Sequence, residues 1–140
     1  MIGYSKQKDF REDELATLFL SVGWSSGNYP NRLAAALRNS DGVCSAWEGD
    51  RLVGLVNALS DGAMVVYFHY LLVHPDYQRR GIGKRLLDCM LEEYGDCMKV
   101  LIAYDAQIGF YERAGFRVGE AKTSMSISGR WHRLLGDSPP

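Results

Sequence analysis

The chain has 140 residues, with 46% apolar and 24% charged, which suits one globular domain and excludes wholesale disorder. Its 16 Lys and Arg against 17 Asp and Glu give a net charge of −1, without the basic excess of a dedicated nucleic-acid binder. No apolar run reaches membrane-spanning length, and three cysteines without zinc-like spacing predict neither a metal site nor a disulfide framework, so we expect a cytoplasmic protein.

The first half of the chain predicts one short strand, two helices and a β-hairpin. The first helix follows from apolar residues at spacings of three and four, and a glycine acts as its stop signal. The expected elements are a strand at 2–6, a helix from Asp13 to Gly23, a helix at 31–38, and strands at 43–47 and 52–59.

The second half predicts a strand–helix–strand unit, then one helix and two strands. The expected elements are a strand at 64–73, a helix from Gly83 to Gly95, a strand at 100–103, a helix from Asp105 to Ala114, and strands at 116–118 and 122–127. Because the strand–helix–strand unit requires a parallel pair and the hairpins are antiparallel, we expect an α/β fold with one mixed sheet and helices on both faces. We expect a single domain over 1–135, followed by a flexible tail at 136–140.

The junction between the long strand and its helix has the composition of a phosphate-binding turn. A helix N-terminus presents unpaired backbone N–H groups and about half a positive charge. Gly81 and Gly83 let an anion approach this backbone, and the neighbouring Arg79, Arg80 and Lys84 add positive charge. Neither the P-loop pattern nor the three-glycine dinucleotide fingerprint is present. The residues alone therefore predict either another phosphate-bearing ligand or a simple helix start with solvated arginines.

The glycine turn is one of two motifs that resemble those of a known family. Residues 78–83, Gln-Arg-Arg-Gly-Ile-Gly, match the Q/R-x-x-G-x-G/A motif of the GNAT superfamily of acyl-CoA-dependent N-acetyltransferases. Residues 110–116, Phe-Tyr-Glu-Arg-Ala-Gly-Phe, resemble its FYxxxGF signature, and the element order is similar over nearly the whole chain. The resemblance implies a mostly antiparallel sheet with one splayed parallel pair. It also implies acetyl-CoA as cosubstrate, with no metal.

The resemblance further implies how acetyl-CoA is held. Backbone amides of the turn would bind the pyrophosphate, and unpaired backbone of the splayed strand would bind pantetheine and polarise the thioester carbonyl. The implied cofactor-binding residues are Leu71, Leu72, Val73, Gln78, Arg79, Arg80, Gly81, Ile82, Gly83 and Lys84.

Tyr111 is the candidate general acid, since it matches the tyrosine that has this role in many members of the family. The alternative is that its ring only packs in the core. Many members carry an asparagine seven residues earlier, where this chain has Tyr104, so that contact to the cofactor is not carried over.

The long strand supplies the candidate base. Alternation places Tyr67 and His69 on one face, together with Val65, Leu71 and Val73. An unperturbed histidine is half-neutral near roughly pH 6.5, so His69 is expected to accept the amine proton directly or through water. Tyr67 stands where histone-type members of the family carry a glutamate base. The alternative for His69 is a structural hydrogen bond within the sheet.

The acceptor groove is expected beside the first two helices. There Trp24 and Tyr29 would stack on an aromatic amine or a cation, although Trp24 is equally suited to anchoring its loop on the core. This region resembles plant plastid enzymes that acetylate serotonin and protein lysines. We therefore expect transfer to a small arylalkylamine-like amine or to a lysine side chain.

The alternative function is a CoA-binding regulatory or interaction module without turnover. A route through a covalent cysteine is not favoured, because Cys89 and Cys97 lie away from the expected thioester site. Neither nucleic acid nor a membrane is an expected partner. Members of the family are often dimers, so a homodimer is compatible with the resemblance.

Overall fold

Five strands form one sheet in which each strand pairs with its neighbours in sequence, according to a computed structural model that describes residues 1–131. The strands are β1 (Ile2–Ser5), β2 (Gly42–Glu48), β3 (Arg51–Ser60), β4 (Val65–Val73) and β5 (Met98–Leu101). The first three pairings are antiparallel, and β4 pairs with β5 in parallel. The parallel pair follows because a helix connects β4 to β5 and returns the chain to the same end of the sheet.

Four α-helices lie entirely within residues 1–131 and cover the two faces of this sheet. They are α1 (Glu12–Ser21), α2 (Pro30–Arg38), α3 (Ile82–Glu93) and α4 (Ile108–Arg113). Phe19 of α1 and Leu37 of α2 are buried in one core, and Leu86 of α3 is buried in a second core. The predicted α/β fold with a mixed sheet and helices on both faces is confirmed. None of the helices within residues 1–131 is both long and apolar enough to cross a membrane.

The predicted elements differ from the structure most after α4. The two strands expected at 116–118 and 122–127 are absent, so this prediction is wrong; both segments are irregular. Met125 and Ile127 are almost fully exposed, which shows that alternation alone does not make a strand without a partner edge and a covering layer. The helix expected from Asp105 opens with a single 3₁₀ turn before α4 begins. The expected tail at 136–140 lies outside the described residues.

A bulge in β4 makes the even-numbered side chains face one core before the bulge and the other core after it. Between two regularly paired stretches, the single residue Asn57 of β3 lies opposite both His69 and Tyr70 of β4. Before the bulge, the buried Phe68 belongs to the core on the α3 side. After the bulge, the buried Leu72 belongs to the core on the α1–α2 side. The extra residue therefore changes which even-numbered side chains face which helices.

The prediction that the odd-numbered residues of β4 share one face is consequently wrong beyond the bulge. The ring centroids of Tyr67 and His69 lie 5.5 Å apart, and those of His69 and Tyr70 lie 4.0 Å apart. Leu71 and Val73 instead pack against the core on the α3 side. A count with a period of two fails here because the bulge adds a residue that the sequence pattern does not reveal.

A buried amide side chain holds this bulge in place. The backbone N–H of Tyr70 donates to Oδ1 of Asn57 at 2.8 Å, and Nδ2 of Asn57 donates to Oγ of Ser40 at 3.1 Å. Asn57 is only 2% exposed, so these hydrogen bonds replace the solvation that its amide loses on folding.

Candidate functional site

The strands β4 and β5 diverge after four paired residues. Their pairing runs from Val65 with Met98 to Phe68 with Leu101. Among the described residues, the second half of β4 has no strand partner on that side. A cleft of about 520 Å³ lies there, walled by this half of β4, the segment after β5, the start of α3, α4 and the loop after α1.

Main-chain groups of β4 are available to this cleft. The N–H of His74 donates to the carbonyl of Val53 in β3 at 2.8 Å. Because the main-chain N–H and C=O groups of successive residues in a strand point to opposite sides, those of Leu72 also point toward β3. The N–H groups of Leu71 and Val73 then point to the side from which β5 has diverged. Leu72 contributes a buried side chain on the α1–α2 side. The N–H groups of Leu71 and Val73 are the hydrogen-bond donors available to a ligand in the cleft.

The turn that follows β4 contains two residues in the left-handed region. Arg79 has a φ of 65° and Gly81 has a φ of 79°. Gly81 is the N-cap of α3, and a Cβ built on it would meet no atom within 4 Å, so the approach to the first amides of α3 is open. The Gln78 side chain donates to the carbonyl of Val73 at 2.9 Å and ties the turn to the end of β4. This arrangement suits an anion.

The positively charged side chains of the turn differ in whether they form an ion pair. Nζ of Lys84 lies 2.8 Å from the carboxylate of Asp88 one helical turn later. Arg79 and Arg80 are exposed and form no ion pair with any residue of 1–131. Ile82 is only 2% exposed in the core on the α3 side, so its main chain is the part that could reach a ligand.

Tyr111 lines the cleft from α4. Its ring packs edge-on against Phe110 and Phe116, with centroid distances of 5.1 and 5.9 Å. Burial raises the pKa of its hydroxyl, which therefore carries its proton at neutral pH. Within residues 1–131 this hydroxyl makes no hydrogen bond, so the ring serves packing and the hydroxyl remains available for chemistry.

His69 and Tyr67 line the same cleft from β4. His69 is open to the cleft, yet enough protein surrounds its ring to lower its pKa, and it is neutral at pH 7. Burial raises the pKa of Tyr67, which is therefore protonated at the same pH. Of these two groups, His69 is the one in the state to accept a proton.

Only one of the two expected acceptor residues lines the cleft. Trp24 does so, with its ring 6.0 Å from Tyr70 and 6.2 Å from Tyr104. Tyr29 is not among the lining residues, and its ring packs against Trp131 at 4.6 Å. Sequence reasoning missed Tyr70 and Tyr104: alternation assigned Tyr70 to the opposite face, and Tyr104 was noted only as a departure from the family asparagine.

No cysteine lines the cleft. Cys44 is buried in the core on the α3 side, and burial raises its pKa to about 12, so it is not a thiolate at neutral pH. Cys89 and Cys97 pack against the same core. Within residues 1–131, no three His, Cys, Asp or Glu side chains come together as metal ligands.

Comparison with known proteins gives consistent results. Residues 8–116 match the model of the acetyltransferase (GNAT) family. An uncharacterized N-acetyltransferase, ycf52-like, from Prochlorococcus marinus is 33% identical over 74% of this chain and 61% of its own length. The histone acetyltransferase TAP1 from Glycine max is 32% identical over 81% of this chain and 54% of its own length. The chain therefore spans only a little more than half the length of these two relatives.

Among solved structures, a GNAT-family acetyltransferase from Streptococcus pneumoniae superimposes with a TM-score of 0.79 at 30% identity. The match covers 93% of this chain and 99% of the other. The fold is thus shared across nearly the whole chain.

Proposed function

This chain belongs to the acetyltransferase (GNAT) family, and we propose that it moves the acetyl group of acetyl-CoA directly to a primary amine, either a small arylalkylamine-like molecule or a lysine side chain. One observation supports this most. Tyr111, His69 and the unpaired main chain of β4 meet in a single cleft beside the glycine turn.

The residues present fit acetyl-CoA as a substrate. The open space at Gly81 and the exposed Arg79 and Arg80 suit a pyrophosphate, and the N–H groups of Leu71 and Val73 suit the amides of pantetheine. When bound, acetyl-CoA supplies an activated acetyl thioester. The same strand N–H groups would polarise its carbonyl, as preorganised donors do in other acyl transfers.

His69 is proposed to make the amine reactive. A lysine-like amine has a pKa of roughly 10.4, so supplying its neutral form at pH 7 costs about 4.6 kcal/mol. The neutral ring of His69 takes up the amine proton, directly or through one water. Because no carboxylate among residues 1–131 lines the cleft, the lowered pKa of His69 is attributed to burial by the surrounding protein rather than to an ion pair.

Tyr111 is proposed to donate a proton to the departing thiolate. Its hydroxyl carries a proton at neutral pH and lies in the same cleft as His69. The two groups therefore have opposite protonation states, as a base and an acid require.

Thiol release tests this function. The protein is incubated with acetyl-CoA and a panel of primary amines that includes lysine-containing peptides, while free CoA and acetylated product are followed. We expect release that depends on both the amine and the protein. Binding of acetyl-CoA without turnover on any amine would instead support a CoA-binding module.

A further inference from the structure

Five aromatic side chains form a continuous surface within the cleft. This surface, called here the aromatic recess, consists of Tyr67, His69, Tyr70, Trp24 and Tyr104. Taken in that order, successive ring centroids lie 5.5, 4.0, 6.0 and 6.2 Å apart. These separations are those of rings in contact.

The recess is assembled from three parts of the chain. The β4 bulge brings His69 and Tyr70 together, and Tyr70 is held by Phe19, whose ring packs edge-on at 5.0 Å. Trp24 comes from the loop after α1, and Tyr104 comes from the segment after β5. Tyr70 is 7% exposed and forms the floor, whereas Tyr104 is 54% exposed and forms the rim.

The described part of the cleft lining carries no formally charged side chain. Among the residues of 1–131 that line the cleft, none is Asp, Glu, Lys or Arg. Asp105 follows Tyr104 in the chain but does not line the cleft. Arg79 and Arg80 lie at the glycine turn, where the guanidinium of Arg80 is 5.0 Å from the ring centroid of Tyr77. A carboxylate or a second ammonium on the acceptor would thus enter the recess without a partner, which is costly.

We infer that the acceptor is an arylalkyl monoamine, whose flat ring lies among Trp24, Tyr70 and Tyr104 and whose single amine lies beside His69. This inference rests on the function proposed above and selects one of its two acceptor classes. Aromatic faces attract the ammonium before it loses its proton, whereas a second ammonium would find no countercharge among the lining residues of 1–131. A free amino acid adds a carboxylate, a polyamine has further ammonium groups and no ring, and a lysine side chain has no ring.

Matched acceptors test this inference. 2-Phenylethylamine is compared with phenylalanine, which adds a carboxylate, and with 2-cyclohexylethylamine, which removes the π system; spermidine and a lysine-containing peptide complete the set. We expect kcat/KM for 2-phenylethylamine to exceed each of the others by about tenfold or more. Equal or better use of any comparison amine would overturn the inference and leave the proposed function standing. Thiol release with none of them would overturn both.

Two substitutions locate the effect in the recess. Trp24→Leu and Tyr104→Leu should each raise KM for 2-phenylethylamine about 3- to 30-fold, with KM for acetyl-CoA unchanged, and should reduce the preference over the cyclohexyl analogue. Tyr29→Leu is the matched control, because its ring packs on Trp131 outside the cleft. Trp24 also packs on Phe19, so the exposed Tyr104 keeps the test valid if Trp24→Leu fails to fold. An unchanged KM in Tyr104→Leu would contradict the assignment.

Discussion

The protonation states of two side chains decide what the cleft can do. His69 loses solvent to the rings beside it, which lowers its pKa, and Tyr111 loses solvent to Phe110 and Phe116, which raises its pKa. Burial disfavours the charged form of each group, so the proposed base is neutral and the proposed acid carries its proton without any ion pair between them.

The pH dependence of the rate should report His69. Its lowered pKa means that the ring takes up a proton only below about pH 6.5, and the protonated ring cannot act as a base. In the unmodified protein, kcat/KM should fall more steeply once the pH drops through that lowered pKa, and His69→Gln should lose this extra steepness. Rates of thiol release between about pH 4.5 and 9 measure it. The control His74→Gln, outside the cleft, should keep the steep region of the pH profile. If the steep region also persisted in His69→Gln, His69 would be excluded as the base.

Removing the hydroxyl oxygen of Tyr111 should separate its proposed role as general acid from the packing of its ring. Tyr111→Phe should lower kcat about 100-fold, because a general acid contributes at least this much, and should leave the Kd of acetyl-CoA nearly unchanged. The contrasting variant is Tyr94→Phe, since the Tyr94 hydroxyl donates to Asp41 at 2.6 Å outside the cleft. Tyr94→Phe should lower the unfolding temperature without lowering kcat. An unaltered kcat in Tyr111→Phe would remove its hydroxyl from the mechanism.

At the scale of elements, the end of β4 combines two irregularities with different effects. The bulge opposite Asn57 places Tyr70 on the same side as His69, toward α1 and α2, and the left-handed Gly81 opens the N-terminus of α3. The first positions side chains at the proposed acceptor end of the cleft, and the second exposes backbone amides at the proposed phosphate end. One strand and the turn after it therefore organise both ends of the cleft.

Two glycines of equal conformation distinguish strain from ligand binding. Gly81 and Gly62 have φ values of 79° and 76°, and a Cβ at either would meet nothing within 4 Å. Each substitution to alanine should lower the free energy of unfolding by about 1 kcal/mol through the left-handed conformation. Only Gly81→Ala should also raise the Kd of CoA, by about tenfold, because its methyl group displaces a charge-assisted hydrogen bond. Calorimetric titration and denaturant unfolding measure the two effects, and equal CoA affinity in both variants would place the phosphates elsewhere.

At the scale of the whole molecule, one sheet separates two cores. Leu18 lies in the core under α1 and α2, and Leu86 lies in the core under α3, each with no exposed surface. Strands β2 to β4 contribute residues to both cores. Loss of packing on one side should therefore weaken the strands that support the other side.

Substitution of a buried leucine by alanine on either side of the sheet should shift one common unfolding transition. Leu18→Ala and Leu86→Ala should each lower the free energy of unfolding by about 2–5 kcal/mol. Trp24 and Trp47 pack on the α1–α2 side, and Trp131 packs against Tyr29, the N-cap of α2. Tryptophan fluorescence therefore reports that layer, whereas far-UV circular dichroism reports all elements. In Leu86→Ala both signals should move together to a lower denaturant midpoint. A fluorescence midpoint that stays in place would show that the two sides unfold separately.

The sequence by itself determined the features that depend on neighbouring residues. The glycine turn, the order of elements up to α4 and the parallel relation of β4 and β5 follow from local composition, periodicity and the length of a connection. The placement of Tyr111 beside the cleft followed from a motif. These features are encoded over short stretches, so a single sequence reveals them.

Only the tertiary structure decided how the cleft is lined. The bulge depends on Asn57 hydrogen bonding to Ser40 and to the main chain of β4, groups that are far apart in sequence. The contacts of Tyr104 with Trp24, and of Tyr29 with Trp131, likewise join distant segments. The alternating residues at 122–127 formed no strand, since that requires a partner edge. Periodicity records what one segment prefers, whereas register, bulges and ring contacts depend on which other segment lies against it.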